Sequence, residues 1–298
     1  MNIRCMGEAH GVMWQAWHGD CVDVCRQLPD SSIDFSVFSP PFGSLFIYGD
    51  SAADLGNSSC DGEFFTHYGF LVDELFRLTK PGRLCAVHCS DLPMRKWVEG
   101  HVAINAFSDA VSARHREAGW LLHSRITVWK DPVVEMQRTK ALGLLYKQLK
   151  KDSAMSRAGM PDYVLVFRKP GENAAPIEHK PEDFPVERWQ QWASPVWMDI
   201  NQTNVLNGRL ARDGSDERHI CPLQLDLIER AMTLWSNPGE TVLSPFMGIG
   251  SEGVSAVKLK RRFVGVELKD SYFQQSVRYL EGAEREASMP SLFDAVAA

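Results

Sequence analysis

The sequence has no run of 18 or more apolar residues, which excludes an ordinary membrane-spanning helix. Met1 to His10 carry neither the apolar core nor the cleavage site of a signal peptide, so the expected location is cytoplasmic. Positive charge is not in excess either: 32 Lys and Arg stand against 38 Asp and Glu, a formal net charge of -6. Counterion release by basic side chains supplies most non-specific nucleic-acid affinity, so indiscriminate coating of a polyanion is excluded and any such contact must be a local patch. Cysteines number seven, an odd count that fits reduced thiols better than a disulfide framework. Cys85, His88 and Cys89 resemble metal ligands by type. A strand, however, points Cys85 and Cys89 to one face and His88 to the other, so core packing is the preferred reading and no metal is expected.

What is present is enough apolar material, 44% of 298 residues, for one α/β domain with an insertion. Its organising stretch is Ser39-Pro40-Pro41-Phe42. Before it, Ile33, Phe35 and Val37 alternate with Asp34 and Ser36, the period of a strand, and two prolines then end ladder pairing. In an open α/β sheet ligands sit beyond the carboxyl ends of strands, which makes the tetrapeptide a candidate site. Ser39 offers a hydroxyl, Pro40 a carbonyl acceptor and Phe42 a flat ring, on a backbone whose φ the prolines fix. Acceptors beside a ring suit a planar base bearing an amino group. A plain strand-end turn is the bland alternative.

A second motif lies near the other end. Thr241 to Ser244 reads as a strand, Gly248-Ile249-Gly250-Ser251-Glu252-Gly253 as G-x-G-x-x-G, and Val254 to Leu259 as a helix. Arg262 to Glu267 reads as the next strand, ending in an acid about 20 residues past the first glycine. That context fits an adenosine-type cofactor whose ribose hydroxyls Glu267 would hold; a structural glycine turn is the alternative. A dinucleotide fold opens on this fingerprint, yet here little follows it. The remaining strands must come from upstream, so the sheet is expected to be circularly permuted, with Ser39-Pro40-Pro41-Phe42 on the strand adjacent to the glycine loop.

Taken in order, His18-Gly19-Asp20, Ser39-Pro40-Pro41-Phe42, Lys80-Pro81-Gly82, Val128-Trp129-Lys130, Tyr163 to Lys169, Arg218 to Leu223 and Pro245-Phe246-Met247-Gly248-Ile249-Gly250 resemble the AdoMet-dependent DNA amino-methyltransferases of the N4-cytosine/N6-adenine group, in the permuted order with the catalytic motif first. The resemblance covers most of the chain. It implies an α/β fold with a Rossmann-like, seven-stranded mixed sheet, helices on both faces and an inserted target-recognition region. It implies S-adenosyl-L-methionine (AdoMet) as cofactor and double-stranded DNA as partner, with no membrane contact and a homodimer left open. Ser39, Pro40, Pro41 and Phe42 take the catalytic places, and Asp20, Phe246, Gly248, Gly250 and Glu267 the cofactor places. The family usually has an acid where Ser244 stands, Ser at Ile249, and Thr at Ser251. A Ser at position 39 goes most often with N4-cytosine and an Asp or Asn with N6-adenine, which puts cytosine first and adenine close behind. Transfer to cytosine carbon-5 needs a cysteine nucleophile, and no Pro-Cys pair occurs.

The implied division is a catalytic half over 1–169, a target-recognition insertion over 170–216 and an AdoMet-binding half over 217–298. In the first, Cys21 to Leu28, Glu63 to Thr79 and His101 to Ala118 read as helices, and Gly43 to Gly62 as a lid or loop. Leu121 to Trp129 and Asp162 to Arg168 read as antiparallel edge strands enclosing a basic excursion, with Arg138, Lys140, Lys147, Lys150, Lys151 and Arg157; Lys258, Lys260, Arg261 and Arg262 form a second basic run. Either is a nucleic-acid patch or a solvated helix face. Pro170 to Asp216 has no sustained period and carries Trp189, Trp192 and Trp197, which stack on DNA or form a small core. Three other readings stay open: an N-methyltransferase for RNA or protein glutamine, a nicotinamide-dependent oxidoreductase, and a DNA-binding relative without activity.

Overall fold

The computed structural model describes residues 5–41, 61–94, 100, 103–139, 141–211 and 222–289. In chain order the strands are β1 (Gly7–His10), β2 (Trp14–His18), β3 (Ile33–Phe38), β4 (Thr79–Ser90), β5 (Leu92–Pro93), β6 (Ile104–Asn105), β7 (Leu121–Val128), β8 (Asp162–Arg168), β9 (Val196–Trp197), β10 (Thr241–Ser244) and β11 (Arg262–Glu267). The helices are α1 (Cys21–Cys25), α2 (Asp61–Leu78), α3 (Phe107–Glu117), α4 (Pro132–Thr139), α5 (Tyr146–Lys151), α6 (Val186–Trp192), α7 (Leu225–Trp235), α8 (Ser251–Lys258) and α9 (Asp270–Ser288).

One nine-stranded sheet runs in the order β1-β2-β11-β10-β3-β4-β8-β7-β9. From β2 to β4 the strands are parallel, and β8 is antiparallel to both of its neighbours. The seven strands expected from the sequence are the middle seven. At one edge β1 folds back on β2, and at the other β9 adds parallel to β7. β3 and β10 pair directly, through Val242↔Phe35 and Leu243↔Ser36, so the permuted halves close into one sheet.

Each face of the sheet carries its own core. Phe64, Tyr68, Leu71, Val72, Leu75 and Leu78 recur at helical spacing along α2 and pack with α1 and α3 on one face. Ile228, Ala231 and Met232 of α7, Val254 and Val257 of α8, and Phe273 and Leu280 of α9 pack on the other. A central parallel strand is covered on both sides, and β3 is buried along its whole length. Its polar alternates therefore need internal partners. Asp34 accepts from Lys80 Nζ at 2.6 Å and from the Thr241 amide at 3.0 Å.

Several expected elements differ. α1 stops at Cys25 and tightens into i→i+3 turns, the Gln27 amide donating to Val24 O at 3.0 Å and the Leu28 amide to Cys25 O at 3.1 Å, while the Arg77 guanidinium donates to the carbonyls of Cys25 and Leu28, both at 2.9 Å. Lys80-Pro81-Gly82 is a bulge inside β4 and not a turn before it: the partners jump from Ile33↔Thr79 to Phe35↔Leu84. Gly82 has φ +74°, and an added Cβ would lie 2.5 Å from the Asn173 amide nitrogen. The helix expected from His101 begins at Phe107, where Asp91 Oδ1 accepts the Ser108 amide at 3.0 Å. β8 is not an edge strand, since β4 pairs along its other side.

Arg83, 2% exposed, ties this region together. It donates to Asp34 O at 3.0 Å and Ala175 O at 2.9 Å and forms an ion pair with Glu240. Removing one partner of a buried pair leaves an uncompensated charge. Arg83→Met is expected to lower the unfolding free energy by about 3–5 kcal/mol in urea denaturation, and adding Glu240→Leu to recover part of it. A loss that the second substitution deepens would show that the pair is not the source.

Candidate active site

Because the strands from β2 to β4 are parallel, their carboxyl ends share one edge of the sheet. Across that edge, in sheet order, lie Asp20 after β2, Glu267 at the end of β11, Phe246 to Gly250 after β10, Ser39-Pro40-Pro41 after β3, and Ser90 at the end of β4. Every expected site residue within the described chain stands there. Phe42 lies outside the described residues, as do most of the segment expected as a lid and the stretch from Arg218 to Cys221.

The glycine loop leaves β10 in a left-handed path, with φ +53° at Gly248 and +93° at Gly250. Glu267 anchors it. Its Oε2 accepts the Gly248 amide at 2.9 Å and its Oε1 the Lys269 amide at 2.8 Å. Each carboxylate oxygen thus takes one backbone amide, one on either side of the strand end. The three glycines serve different ends. A Cβ on Gly248 would meet nothing within 4 Å, one on Gly250 would lie 3.2 Å from Ser276 Cβ on α9, and one on Gly253 would lie 2.5 Å from Leu280 Cδ2. Of the three, Gly248 alone faces open space. Gly250 is required by its φ and by packing, so any substitution there reads out on folding first.

Asp20 caps α1: its Oδ1 accepts the amides of Val22 at 2.8 Å and Asp23 at 3.0 Å. The cap uses Oδ1, and the second oxygen suits an incoming amine or hydroxyl. Phe246 is half-buried, its ring 5.8 Å from that of Phe38, and so floors the edge between β10 and β3. Ser244, where an acid is usual, is fully buried with Oγ unpartnered among the described residues.

The sequence reading missed the surroundings of Ser39. His88 projects from β4 to the face opposite Cys85 and Cys89, and its Nδ1 lies 3.2 Å from Ser39 Oγ. Its Nε2 lies 3.2 Å from Asp162 Oδ2, an ion-pair distance with a bent approach. The other Asp162 oxygen accepts from Lys130 Nζ. Burial pushes the Asp162 carboxyl up, but its basic neighbours, His88 and then Lys130, outweigh it and hold it down at about 2. No spacing in the sequence announces this set. It depends on the register His88↔Val164 and Ser90↔Asp162.

The basic excursion leaves the sheet at this same edge, between Lys130 and Asp162. Its base is closed by Glu135, which accepts the Met160 amide at 2.9 Å and lies 3.4 Å from Arg157 Nη2. Lys147, Lys150 and Lys151 are exposed on α5, with Lys150 over the exposed Tyr146 ring; the side chain of Arg138, and Lys140, lie outside the described residues. The second basic run stands at the opposite end of the sheet. There Arg261 is buried and donates to Ser236 O at 2.6 Å, a structural use. The tryptophans of 170–216 divide: Trp197 is buried, Arg230 stacks over Trp192 and Trp197, and Trp189 is exposed.

The DNA methylase family model, N6_N4_Mtase, matches residues 33–278. This chain belongs to the DNA methylase family. Among its relatives, the type II methyltransferase M1.MboII of Moraxella bovis is 24% identical over 277 residues, covering 86% of this chain and 92% of its own. The DNA adenine methyltransferase YhdJ of Escherichia coli K12 is 24% identical over 276 residues, covering 89% and 82%. In fold, the methylase resembles the DNA modification methylase TTHA0409 of Thermus thermophilus, solved in complex with S-adenosyl-L-methionine, at TM-score 0.67 and 22% identity, covering 92% of this chain and 96% of that one. It also resembles the cytosine-N4-specific PvuII DNA methyltransferase, at TM-score 0.61 and 16% identity, covering 92% of each.

One buried acid in the methylase gives the site region a pH signature. Glu252, in the first turn of α8, is pushed up to about 8 by burial, with the Glu267 charge adding to it. A carboxyl raised in the folded state contributes stability that is full below its unfolded value, near 4.3, and lost as pH rises through about 8. Glu252→Gln is therefore expected to match wild type at pH 5 and exceed it by a few kcal/mol at pH 9, at about 1.4 kcal/mol for each tenfold change in proton affinity. Urea midpoints at the two pH values check this; equal differences at both would refute it.

Proposed function

We propose that this chain transfers a methyl group from AdoMet to an exocyclic amine, N4 of cytosine or N6 of adenine, of a base flipped out of double-stranded DNA. The observation that carries the reading is the direct pairing of β3 with β10, which sets Ser39-Pro40-Pro41 and the glycine loop on neighbouring strand ends, about 5 Å apart. The residues fit the cofactor. Gly248 opens toward free space, and Glu267 and Asp20 put carboxylate oxygens on the same edge for hydroxyls and an amine. When bound, AdoMet supplies an electrophilic methyl group on a sulfonium centre.

The chain's own residues do the rest. An exocyclic amine is a poor nucleophile because its lone pair is delocalised into the ring. Accepting its hydrogens at Ser39 Oγ and the Pro40 carbonyl favours a pyramidal nitrogen with a localised lone pair, and the proline-fixed backbone holds both acceptors in place beforehand. Unstacking the base costs a few kcal/mol, which an aromatic platform partly returns. Cytosine stays the first choice for a Ser at this place, and adenine the second.

For the surface that meets DNA, position favours residues 132–157 over the first part of 170–216. The basic excursion leaves the sheet beside Ser39. By contrast, Ala175 and Pro176 are held by Arg83 and Asn237 beneath the opposite ends of the strands. Exchanging 132–157 for the matching segment of a related enzyme is expected to change the methylated sequence but not the modified base, read by sequencing the methylated sites. An unchanged set of sites would return recognition to 170–216.

Nucleoside mass spectrometry of DNA from cells expressing the chain tests the central reading, with N4-methylcytosine the expected product and N6-methyladenine the alternative. Neither base appearing, with methylated RNA or glutamine instead, would overturn it. Ser39→Ala is expected to slow transfer by about 2–4 kcal/mol in activation free energy while AdoMet affinity hardly changes. Gly248→Asn keeps a residue type that tolerates the left-handed φ but fills the open space. AdoMet at about 100 times its Kd stabilises a fold by about 2.7 kcal/mol, and this variant is expected to lose most of that thermal shift while melting like wild type alone. A shift with NAD and none with AdoMet would favour an oxidoreductase.

A further inference from the structure

Ser39 on its own leaves a chemical question open. A hydroxyl is both donor and acceptor, and its rotor settles by context. To draw the amine lone pair out of the ring, Ser39 must accept from the amine, so its own hydrogen must point elsewhere. A partner that takes that hydrogen in every turnover has to be fixed, buried and itself unable to donate at that atom.

His88 meets those conditions. It is 7% exposed, on β4, the strand next to the one that delivers Ser39, with Nδ1 at 3.2 Å from Ser39 Oγ. Its far nitrogen faces the carboxylate of Asp162, which is 3% exposed and at the first position of β8. A carboxylate accepts only, so the imidazole hydrogen belongs on Nε2, and Nδ1 is left as an acceptor. Lys130, just past the end of β7, takes the other Asp162 oxygen and offsets its charge, which leaves the carboxylate to orient the ring. Three neighbouring strands thus converge on one hydroxyl. The other charged groups near β4 at this level, Asp91 and Arg125, are engaged with α3 on the opposite face, through the Ser108 amide and Asp109.

Building on the proposed amine methylation, we propose that His88 is a positioning residue for Ser39. It takes the Ser39 hydroxyl hydrogen at Nδ1, so that Ser39 Oγ meets the amine as an acceptor, and it receives the proton that the amine sheds. The balance is simple. Once the nitrogen has gained its methyl group it carries one proton too many. That proton passes to Ser39 Oγ as the Ser39 hydrogen passes to Nδ1, leaving a neutral methylated amine, an intact serine and an imidazolium facing the Asp162 carboxylate. His88 returns the proton through Ser39 to water once the base has left. A buried carboxylate that fixes the tautomer of a proton-accepting histidine is known to matter by orders of magnitude in other enzymes.

Two measurements separate this device from the methylation reading. Long-range ¹⁵N–¹H NMR of histidine-labelled protein without ligands reads the tautomer directly. The expectation is His88 protonated on Nε2 and bare on Nδ1, with Asp162→Asn eroding that preference. A hydrogen on Nδ1 in wild type would overturn the proposal whatever the protein methylates. Single-turnover methylation then tests its use. His88→Leu is expected to lose 10²–10⁴-fold in rate with AdoMet affinity within twofold of wild type. His88→Asn, which restores an acceptor near Ser39 but no proton sink, is expected to recover part of the rate and to lack the acid limb of the wild-type pH profile. Equal losses in both variants, with an unaltered pH profile, would assign His88 a purely structural role. Absence of methylated DNA from wild type, read by mass spectrometry, falls on the functional reading and leaves the tautomer result to decide on His88.

Discussion

The fold depends on one junction, where β3 meets β10. These strands come from opposite ends of the chain, and their ladder is short, Val242↔Phe35 and Leu243↔Ser36. Asp34 pins it. Its carboxylate is 5% exposed, accepts the Thr241 amide at 3.0 Å and binds Lys80 at 2.6 Å. A buried carboxylate without such partners would cost several kcal/mol, so the polar residue that breaks the apolar pattern of β3 specifies the register as well as tolerating it. From this junction the sheet grows through β11 and β2 on one side and through β4 on the other. It is the point where strand order reverses, and in open α/β sheets the crevice at such a point takes the ligand. The glycine loop and the Ser-Pro-Pro turn are its two walls.

What could be read from the sequence was local. A period of two stopped by two prolines marks a strand end, and glycines between a strand and a helix mark a loop with φ above zero; both stand where expected. Even the permutation was legible from the order of the motifs, the Ser-Pro-Pro strand ahead of the glycine loop, and β3 does pair with β10. What could not be read was set by partners far along the chain. Arg77 ties down the end of α1 and the turn after it by donating to the carbonyls of Leu28 and Cys25, 49 and 52 residues away. The double pairing of β8, and with it the meeting of His88 and Asp162, follows from a register that no spacing encodes. Gly250 was legible as a glycine but not as to cause, since its need arises from Ser276 on a helix that only packing brings near.

Charge and aromatic content were the least informative signals, because the same residue types serve cores and surfaces. Arg261 sits in a basic run yet is buried against the Ser236 carbonyl, and Arg157 lies against Glu135 at the base of the excursion. Trp197 was left open by the sequence to both stacking on DNA and a small core. It is in fact 1% exposed, because β9 adds to the edge of the sheet and turns that ring inward. Arg230 stacked over Trp192 and Trp197 and bound to Asp199 at 2.6 Å makes this part of 170–216 a brace for α7. The segment is therefore woven into the fold here as well as at Ala175 and Pro176, while Trp189 stays exposed.

The two walls of the crevice are stiffened in different ways. The glycine-loop wall is stiffened through the main chain: Glu267 holds two backbone amides, and left-handed glycines hold the path. Main-chain donors need no orienting, because a peptide hydrogen has one direction. The Ser39 wall ends in a side-chain hydroxyl, whose hydrogen turns freely, so fixing the backbone with prolines fixes the oxygen but not what it presents. Direction has to be supplied by a second buried group, and a buried group able to take a hydrogen must itself be held by another. The sequence of contacts from Ser39 to His88, Asp162 and Lys130 ends at an ammonium that is partly exposed, 21% at the side chain, where water satisfies what remains. Along this path each group lies within 3.2 Å of the next, His88 Nε2 reaching Asp162 off the hydrogen-bond line, and that proximity lowers the cost of keeping polar groups inside an apolar sheet.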